Sequence, residues 1–542
     1  MNPVQEIETT LPRERLRRSL AILGMNACIR FQALFAFGLA AAGLTPALAA
    51  PNTASMISRP NIIWIFTDDH ATQAIGAYGG RLQNLNPTPN IDRLAAEGMR
   101  FERSYVENSI CSPSRATLLT GKLSHKHGVR CIEGAEFDWG QFLFPEALRQ
   151  AGYRTALIGK IHLPGKPRGF DHWEVLEGQG TYRNPILWSE KGKEKHRGYV
   201  TDIITERSID WLKTQKDGPF LLMIHHKAPH RLFVPDARHM ALYEDVEIPE
   251  PGNLFDNYAT RGTAARGQES SIAKDMGLCG DLKAIDADFT FEGFEPGEEV
   301  GWRGQFAARR KWFAENKSKL AGRDLVRWKY QSYLKDYLRC VKGVDEGVGR
   351  VLDALKEAGL EENTVVLYSS DQGFFLGEHG WFDKRFMYEE SFRTPLIVRW
   401  PGVVRPGSSN SDLVQNIDWA PTFLEMAGVN APAEIQGKSL VPLLRGATPP
   451  DWRQSLYYHY YEFPGTHSIR RHEGVATKNH KLIRFYGEGV PGGEEWELYD
   501  LDKDPSEMKN LARQSRGKPV FKALQAELQH LRRHYEVPAD CP

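Results

Sequence analysis

The sequence predicts an α/β fold: a large, mostly parallel sheet flanked by helices, with a smaller antiparallel sheet subdomain toward the C-terminus. Three observations predict it. From Pro60 onward, apolar runs alternate with amphipathic stretches of helical period. Several of these runs, such as "NIIWIFT", are apolar without interruption, as strands covered on both faces are. After about residue 448 the composition shifts to short strands rich in aromatic residues. The 542 residues suffice for a large core.

The first segment stands apart from that fold. Arg13, Arg15, Arg17, Arg18 and Arg30 precede the apolar run "FQALFAFGLAAAGL". Then follows "TPALAAP", in which Ala47-Leu48-Ala49 has the small-x-small form of a cleavage site. Residues 1–49 therefore read as a secretory signal peptide, with Met25 as an alternative start and cleavage near Ala49. The mature protein is expected to be exported, periplasmic or extracellular, without a transmembrane segment.

The α/β part is expected over residues 50–448. Its strands are "NIIWIFTDD", the end of "FPEALRQAGYRTALIGKIH", "FLLMIHHKAPH", "NTVVLYSSDQG" and "TPLIVRWPG", with "IDRLAAEGMRF" as a helix leading into a strand. An insertion or lid is expected at about 252–330, where Asn253 to Gly304 is polar, glycine-rich and weakly periodic. A long helix follows from Leu325, with a break expected near Gly343. Residues 449–542 form the α+β end: "QSLYYHYYEF", "HEGVATKNHKLIRFYG" and "EWELYDLDKDP" as strands, then an amphipathic helix in "PVFKALQAELQHLRRHYE".

Ligands of such folds bind beyond the carboxyl ends of the strands. Here those ends carry Asp68 and Asp69, Lys160 and His162, His225, His226 and His230, and Asp371 and Gln372. Three carboxylates gathered at one point repel unless a hard cation neutralises them, and Ca²⁺ or Mg²⁺ accepts all-oxygen ligation. One such aspartate alone would be an ordinary helix cap; two pairs point to a metal. Lys160, His162, His230 and Lys384 together would make a positive pocket for an anionic ester, with histidine suited to proton transfer near neutral pH. Adjacent His225 and His226 point to opposite faces of a strand, so at most one faces the site. The formal net charge is zero, with 69 Lys and Arg against 69 Asp and Glu, which argues against non-specific nucleic-acid binding.

"ICSPSRATLLTGK" reads as a helix with Pro113 at its first position and Gly121 at its end, placing Cys111 at an N-terminus that attracts anions. Cys111 there is a buried small residue, a thiolate nucleophile, or a product made from cysteine. Setting Cys28 in the leader aside, Cys111, Cys131, Cys279, Cys340 and Cys541 leave an odd count, with either up to two disulfides or free buried thiols.

"CSPSR" at 111–115 resembles the Cys-x-Pro-x-Arg signature of the type I, formylglycine-dependent sulfatases, and "ATLLTGK" continues it as in that family. "NIIWIFTDDH", "GKIH", "KAPHRLF", "SSDQGFFLGEHG" and "WELYDLDKDPSEMKNL" resemble further family elements, in the family's order from Asn61 to about Leu511. The Asp-Lys-Arg at 383–385, the Tyr-Glu after it, and "HSIRRHEGVATKNHKLIRFYG" resemble the N-acetylglucosamine-6-sulfatase branch, except that Ala476 stands where relatives often carry arginine.

The resemblance implies an alkaline-phosphatase-like fold and a carbohydrate sulfatase, first of all on 6-O-sulfated N-acetylglucosamine. It implies that a formylglycine-generating enzyme oxidises Cys111 to an aldehyde whose hydrate attacks sulfur and then expels sulfate. Asp68, Asp69, Asp371 and Gln372, with the modified Cys111, would hold one Ca²⁺; Gln372 departs from the Asn or His of many relatives. Arg115 would fix the diol and Lys160 would bridge it to sulfate. His162 would deprotonate its second hydroxyl, while His230 and Lys384 would contact sulfate and the leaving oxygen. His467 and His472 would touch the sugar. Two other readings are a phosphonate or phosphate ester hydrolase of the same fold, and a non-catalytic sulfated-glycan binding protein.

Overall fold

The computed structural model describes residues 59–286 and 290–539. The expected signal peptide, Cys28 and Cys541 lie outside these. Ten strands form the main sheet: β1 Asn61–Thr67, β2 Met99–Phe101, β3 Arg154–Gly159, β4 His172–Leu176, β5 Ile186–Ser189, β6 Gly192–Lys195, β7 Phe220–His225, β8 Thr364–Ser370, β9 Leu396–Arg399 and β10 Ser408–Asn410. Their order is β10-β2-β9-β8-β1-β7-β3-β4-β5-β6. From β8 to β4 every pairing is parallel, while β9 pairs antiparallel with both β8 and β2, and β5 and β6 close the other side as an antiparallel edge.

At the centre of the sheet, Ile62 lies opposite Leu221 and Val365, and Phe66 opposite His225 and Ser369. All of β1 is buried, as its unbroken apolar run requires. One face, carrying Ile63 and Ile65, packs on α3 (Val200–Lys213) and α5 (Gly322–Glu357); on the same side lies α1 (Pro89–Glu97). The other face carries Trp64, whose ring meets Trp419 at 5.1 Å and Phe423 at 4.7 Å, and covers α2 (Cys111–Thr120).

α5 runs unbroken through Gly343, contrary to the expected break. A Cβ at Gly343 would lie 3.5 Å from the Tyr199 ring and 3.6 Å from His239, ordinary van der Waals contacts, so the glycine neither ends the helix nor is required by its packing. Tyr333, Tyr337, Val341, Val344 and Val348 of α5 recur at helical spacing and are buried. The stretch read as an insertion or lid contributes Ile272, Met276 and Leu282 to the same core, next to α4 (Ala307–Asn316).

The C-terminal sheet is an antiparallel meander of β11 Ser455–Tyr460, β12 His472–Thr477, β13 His480–Tyr486 and β14 Glu494–Asp500. One face receives Leu524, Leu528 and Leu531 of α6 (Pro519–His534). The other packs Leu456, Tyr458 and Ile483 against Phe386, Tyr388 and Phe392, and so supports the loop that bears Lys384. Cys111, Cys131, Cys279 and Cys340 are all free thiols. No helix among the described residues is long and apolar enough to cross a membrane.

Gly159, the last residue of β3, has φ +111°, and a Cβ there would lie 1.9 Å from the His225 carbonyl oxygen. Gly159→Ala is therefore expected to destabilise the protein by about 3 kcal/mol or more, read as a drop in the denaturant midpoint. An unchanged midpoint would show that the β3–β7 contact is not tight.

Candidate active site

The strand ends deliver the acids and bases to one place. Asp68 and Asp69 follow β1, Lys160 and His162 follow β3, His230 lies in the turn after β7, and Asp371 and Gln372 follow β8. Cys111 opens α2 beneath them. The helix starts two residues earlier than Pro113 suggested, so Pro113 sits in the first turn, where its missing N–H leaves no intrahelical bond unmade. Gly121, with φ +67°, ends the helix as expected. Every residue of α2 is buried.

Arg115 is fully buried and donates from Nε and Nη2 to Asp371 Oδ2, at 3.1 and 3.0 Å, with Nη2 also 3.4 Å from Asp68 Oδ2. Its Nη1 donates to the Lys160 carbonyl oxygen at 2.5 Å. The Lys160 ammonium is hydrogen-bonded to Asp68 Oδ2 and to the side-chain oxygen of Gln179. Lys384 Nζ donates to Asp69 Oδ2 at 2.8 Å, and His230 Nε2 lies 3.8 Å from the same oxygen. Cys111 Sγ is 3.5 Å from Asp68 Oδ1. His162 sits against Ser112, whose hydroxyl donates to the His162 carbonyl oxygen at 2.8 Å and lies 3.4 Å from its Nδ1.

Burial and charge divide these groups by protonation state. Burial alone would raise Asp68, but Lys160, Arg115 and Lys384 outweigh it and hold its carboxyl well below the usual range. Burial raises Asp69 to about 6 in spite of Lys384, and burial with Asp68 raises Asp371 to about 7. Burial and Lys160 press His162 down to about 2, and His230 is also held well below its ordinary value by burial and the lysines, so both rings are neutral bases. Burial opposes the Lys384 charge, yet Asp69 keeps it protonated. Burial and Asp68 push the Cys111 thiol far up, so as a thiol it offers no thiolate at neutral pH.

The donor set fits a hard divalent cation. Single oxygens of Asp68, Asp69 and Asp371 lie within 4.8 Å of one another, and all three residues are buried. Gln372 Nε2 is 2.5 Å from Asp69 Oδ1 while its buried Oε1 has no hydrogen-bond partner, so rotating the amide brings a fourth oxygen to the cluster. A cation would keep Asp69 and Asp371 ionised. Asp68, Cys111 and His230 form a second close group that shares Asp68.

The two outer histidines part company. His467 Nε2 is 3.3 Å from Asp383 Oδ2 and 3.1 Å from Arg231 Nη1, at the rim of the pocket. His472 departs from expectation. It is fully buried, its Nε2 accepts from the Met387 N–H at 3.1 Å, and its Nδ1 meets the Arg470 carbonyl oxygen at 2.8 Å. With both nitrogens engaged among Phe386, Tyr458 and Phe485, it braces the Lys384 loop and offers nothing to a sugar. His225 and His226 are both buried; His225 bonds the Lys160 carbonyl oxygen at 3.1 Å, and neither joins the cluster.

Sequence reasoning missed Gln179, Lys227 and Asp383. Lys227 Nζ donates to the Gln179 carbonyl oxygen at 3.0 Å, and burial beside Lys160 lowers it to about 7. Gln179 belongs to no motif, whereas Lys227 opens "KAPHRLF" beside His230. Asp383 had a signal, as a neighbour of Lys384.

Behind α2, Glu107 accepts from the hydroxyls of Thr117 at 2.8 Å and Ser124 at 2.6 Å, and burial raises its carboxyl to about 7. The folded value lies above the ordinary 4.5, so this group's contribution is full below pH 4.5 and is lost as pH rises through about 7. Glu107→Gln should therefore gain on the wild type in melting temperature between pH 5 and 8. A constant difference across that range would contradict the raised value.

The family description "Sulfatase" matches residues 60–429, and "N-sulphoglucosamine sulphohydrolase, C-terminal" matches 377–534. The chain belongs to the sulfatase family. The sulfatase is 47% identical over 491 residues to the N-acetylglucosamine-6-O-sulfatase of Bacteroides thetaiotaomicron, covering 87% of this chain and 85% of that one. It is 27% identical over 431 residues to the human N-acetylglucosamine-6-sulfatase, covering 74% of this chain and 67% of the human one. A solved protein bound to its substrate D-glucosamine-2-N,6-O-disulfate superposes with a TM-score of 0.85 at 45% identity, over 89% of this chain and 99% of that one. The phosphonate monoester hydrolase of Agrobacterium radiobacter shares the fold, with a TM-score of 0.64 at 21% identity over 88% of this chain and 96% of that one. The sulfatase is thus a sulfuric ester hydrolase of alkaline-phosphatase-like fold.

Proposed function

We propose that this sulfatase is exported after cleavage near Ala49 and removes the 6-O-sulfate from glucosamine-type sugars of a glycan, N-acetylglucosamine first among them. The observation that carries the substrate is the 45% identity, over 89% of the chain, to a protein solved with a 6-O-sulfated glucosamine. In this reading residues 50–448 are the catalytic part and 449–542 its C-terminal support. Cys111 is converted to formylglycine by a modifying enzyme that reads Pro113 and Arg115. When present, calcium on Asp68, Asp69, Asp371 and Gln372 supplies positive charge for the sulfate oxygens, and the oxidised residue 111 supplies the attacking hydroxyl.

The chain's own residues have separate duties. Arg115 holds Asp371 and Asp68 in register through its planar fork. Lys160, held between Asp68 and Gln179, directs a cation at the bound anion. His162, neutral, accepts a proton from the residue at 111. His230 and Lys384 flank the leaving oxygen, and Lys384 is the one of the two that holds a proton to deliver. His467 and Asp383, at the rim, meet the sugar.

The test is a panel of sulfated monosaccharides with phosphate and phosphonate esters beside them. Sulfate release from 6-sulfated N-acetylglucosamine should lead the panel. Faster turnover of the phosphorus esters would favour the ester-hydrolase alternative, and binding of the panel without turnover would favour a glycan-binding protein.

Chelation should lower the melting temperature. Calcium at about 100 times its Kd should restore about 2.7 kcal/mol, and Asp69→Asn should lose most of that response. A melting curve indifferent to chelator would remove calcium from this account.

A further inference from the structure

Away from the catalytic pocket, α4 and the start of α5 form a corner with its own chemistry. Trp312 is 44% exposed and lies parallel to Trp328, with ring centroids 6.0 Å apart and 5° between planes. Phe313 stacks on Trp328 at 4.6 Å from beneath, fixing the pair to the core. Beside this aromatic step Lys311, Lys317 and Lys319 are exposed; Arg323, at the start of α5, is exposed too and lies over the Phe255 ring at 4.9 Å, and among the described residues none of the four makes an ion pair with a carboxylate. Nearby arginines behave otherwise: Arg310 pairs with Asp286 at 3.2 Å and Arg327 with Glu250 at 3.1 Å. In a chain of zero formal net charge, three lysines beside an exposed indole face, with Arg323 on the next helix, all without acid partners, are a local positive field.

The corner is tied to the catalytic site by one rigid element. Tyr337 of α5 donates its hydroxyl to the Asp69 carbonyl oxygen at 2.8 Å and accepts from the Ala71 N–H at 3.0 Å. Arg323 lies on the same helix, about 21 Å away along the axis at about 1.5 Å per residue.

We propose that this corner is a second, non-catalytic binding surface for a sulfated polysaccharide chain, with the stacked tryptophans taking an apolar sugar face and the four cations its sulfates or carboxylates. This rests on the reading that the sulfatase acts on glycans. The corner anchors a polymer whose end enters the pocket, and raises the effective concentration of chain ends there. Its cations should give binding a steep salt dependence.

Binding is measured on Cys111→Ala protein, so that no sulfate is lost, with size-fractionated heparan sulfate as the probe. K311E/K317E/K319E/R323E should weaken it by about tenfold or more at low salt, and Trp312→Ala should weaken it severalfold with the charges intact. With Cys111 present, the fourfold variant should keep its turnover of 6-sulfated N-acetylglucosamine monosaccharide and raise KM only for the polymer. Unchanged polymer binding by the fourfold variant overturns the proposal, as does equal affinity for the desulfated chain, a DNA duplex or phosphatidylserine vesicles. Wild-type protein that holds heparan sulfate through this corner but releases no sulfate from the monosaccharide would fault the catalytic reading alone.

Discussion

Cys111→Ala is expected to lower sulfate release by about 10⁴-fold or more, on the scale of removing the nucleophile from a site that acts as a unit, with little effect on stability. The buried thiol, pushed up by burial and Asp68, is not itself equipped to attack. The activity therefore depends on what the cysteine becomes. Mass spectrometry of the peptide Ser104–Arg115 should show the deficit of a thiol converted to an aldehyde. An unmodified thiol in fully active protein, or full activity in the alanine variant, would sink the proposed chemistry.

Arg115→Ala should cost both activity and stability. The side chain is fully buried and neutralises Asp371 and Asp68. Its loss leaves two carboxylates buried together, a defect of about 3–5 kcal/mol, visible as an earlier denaturant midpoint. Arg115→Lys restores the charge but not the fork that reaches Asp371 and the Lys160 carbonyl oxygen together, so it should recover part of the stability and little of the rate. A wild-type midpoint for the alanine variant would mean that something else balances these acids.

Much of this centre is legible in the sequence because strand ends converge in a parallel sheet. Once "NIIWIFTDD", "GKIH" and "SSDQG" are recognised as strand ends, their polar residues must meet. The rest depends on tertiary contacts without a local pattern. Gln179 reaches Lys160 from a loop after β4 and carries no motif. His472 reads as an outer histidine, but its strand turns it inward among aromatic rings where both nitrogens are taken. Gly343 reads as a helix breaker, yet one glycine inside a long buried helix does not stop it, and α5 passes through unbroken. The stretch from Asn253 lacks periodicity because its apolar residues anchor short turns rather than one helix face.

The burial of α2 also sets a schedule. Cys111 has no exposed surface, and the helix that contains it is covered along its whole length by residues distant in the chain, Trp419 and Asn416 among them. No second enzyme can reach the "CSPSR" segment once those residues have closed over it. The proposed oxidation must then occur on the unfolded polypeptide, and a molecule that folds first is locked for its lifetime as an inert copy.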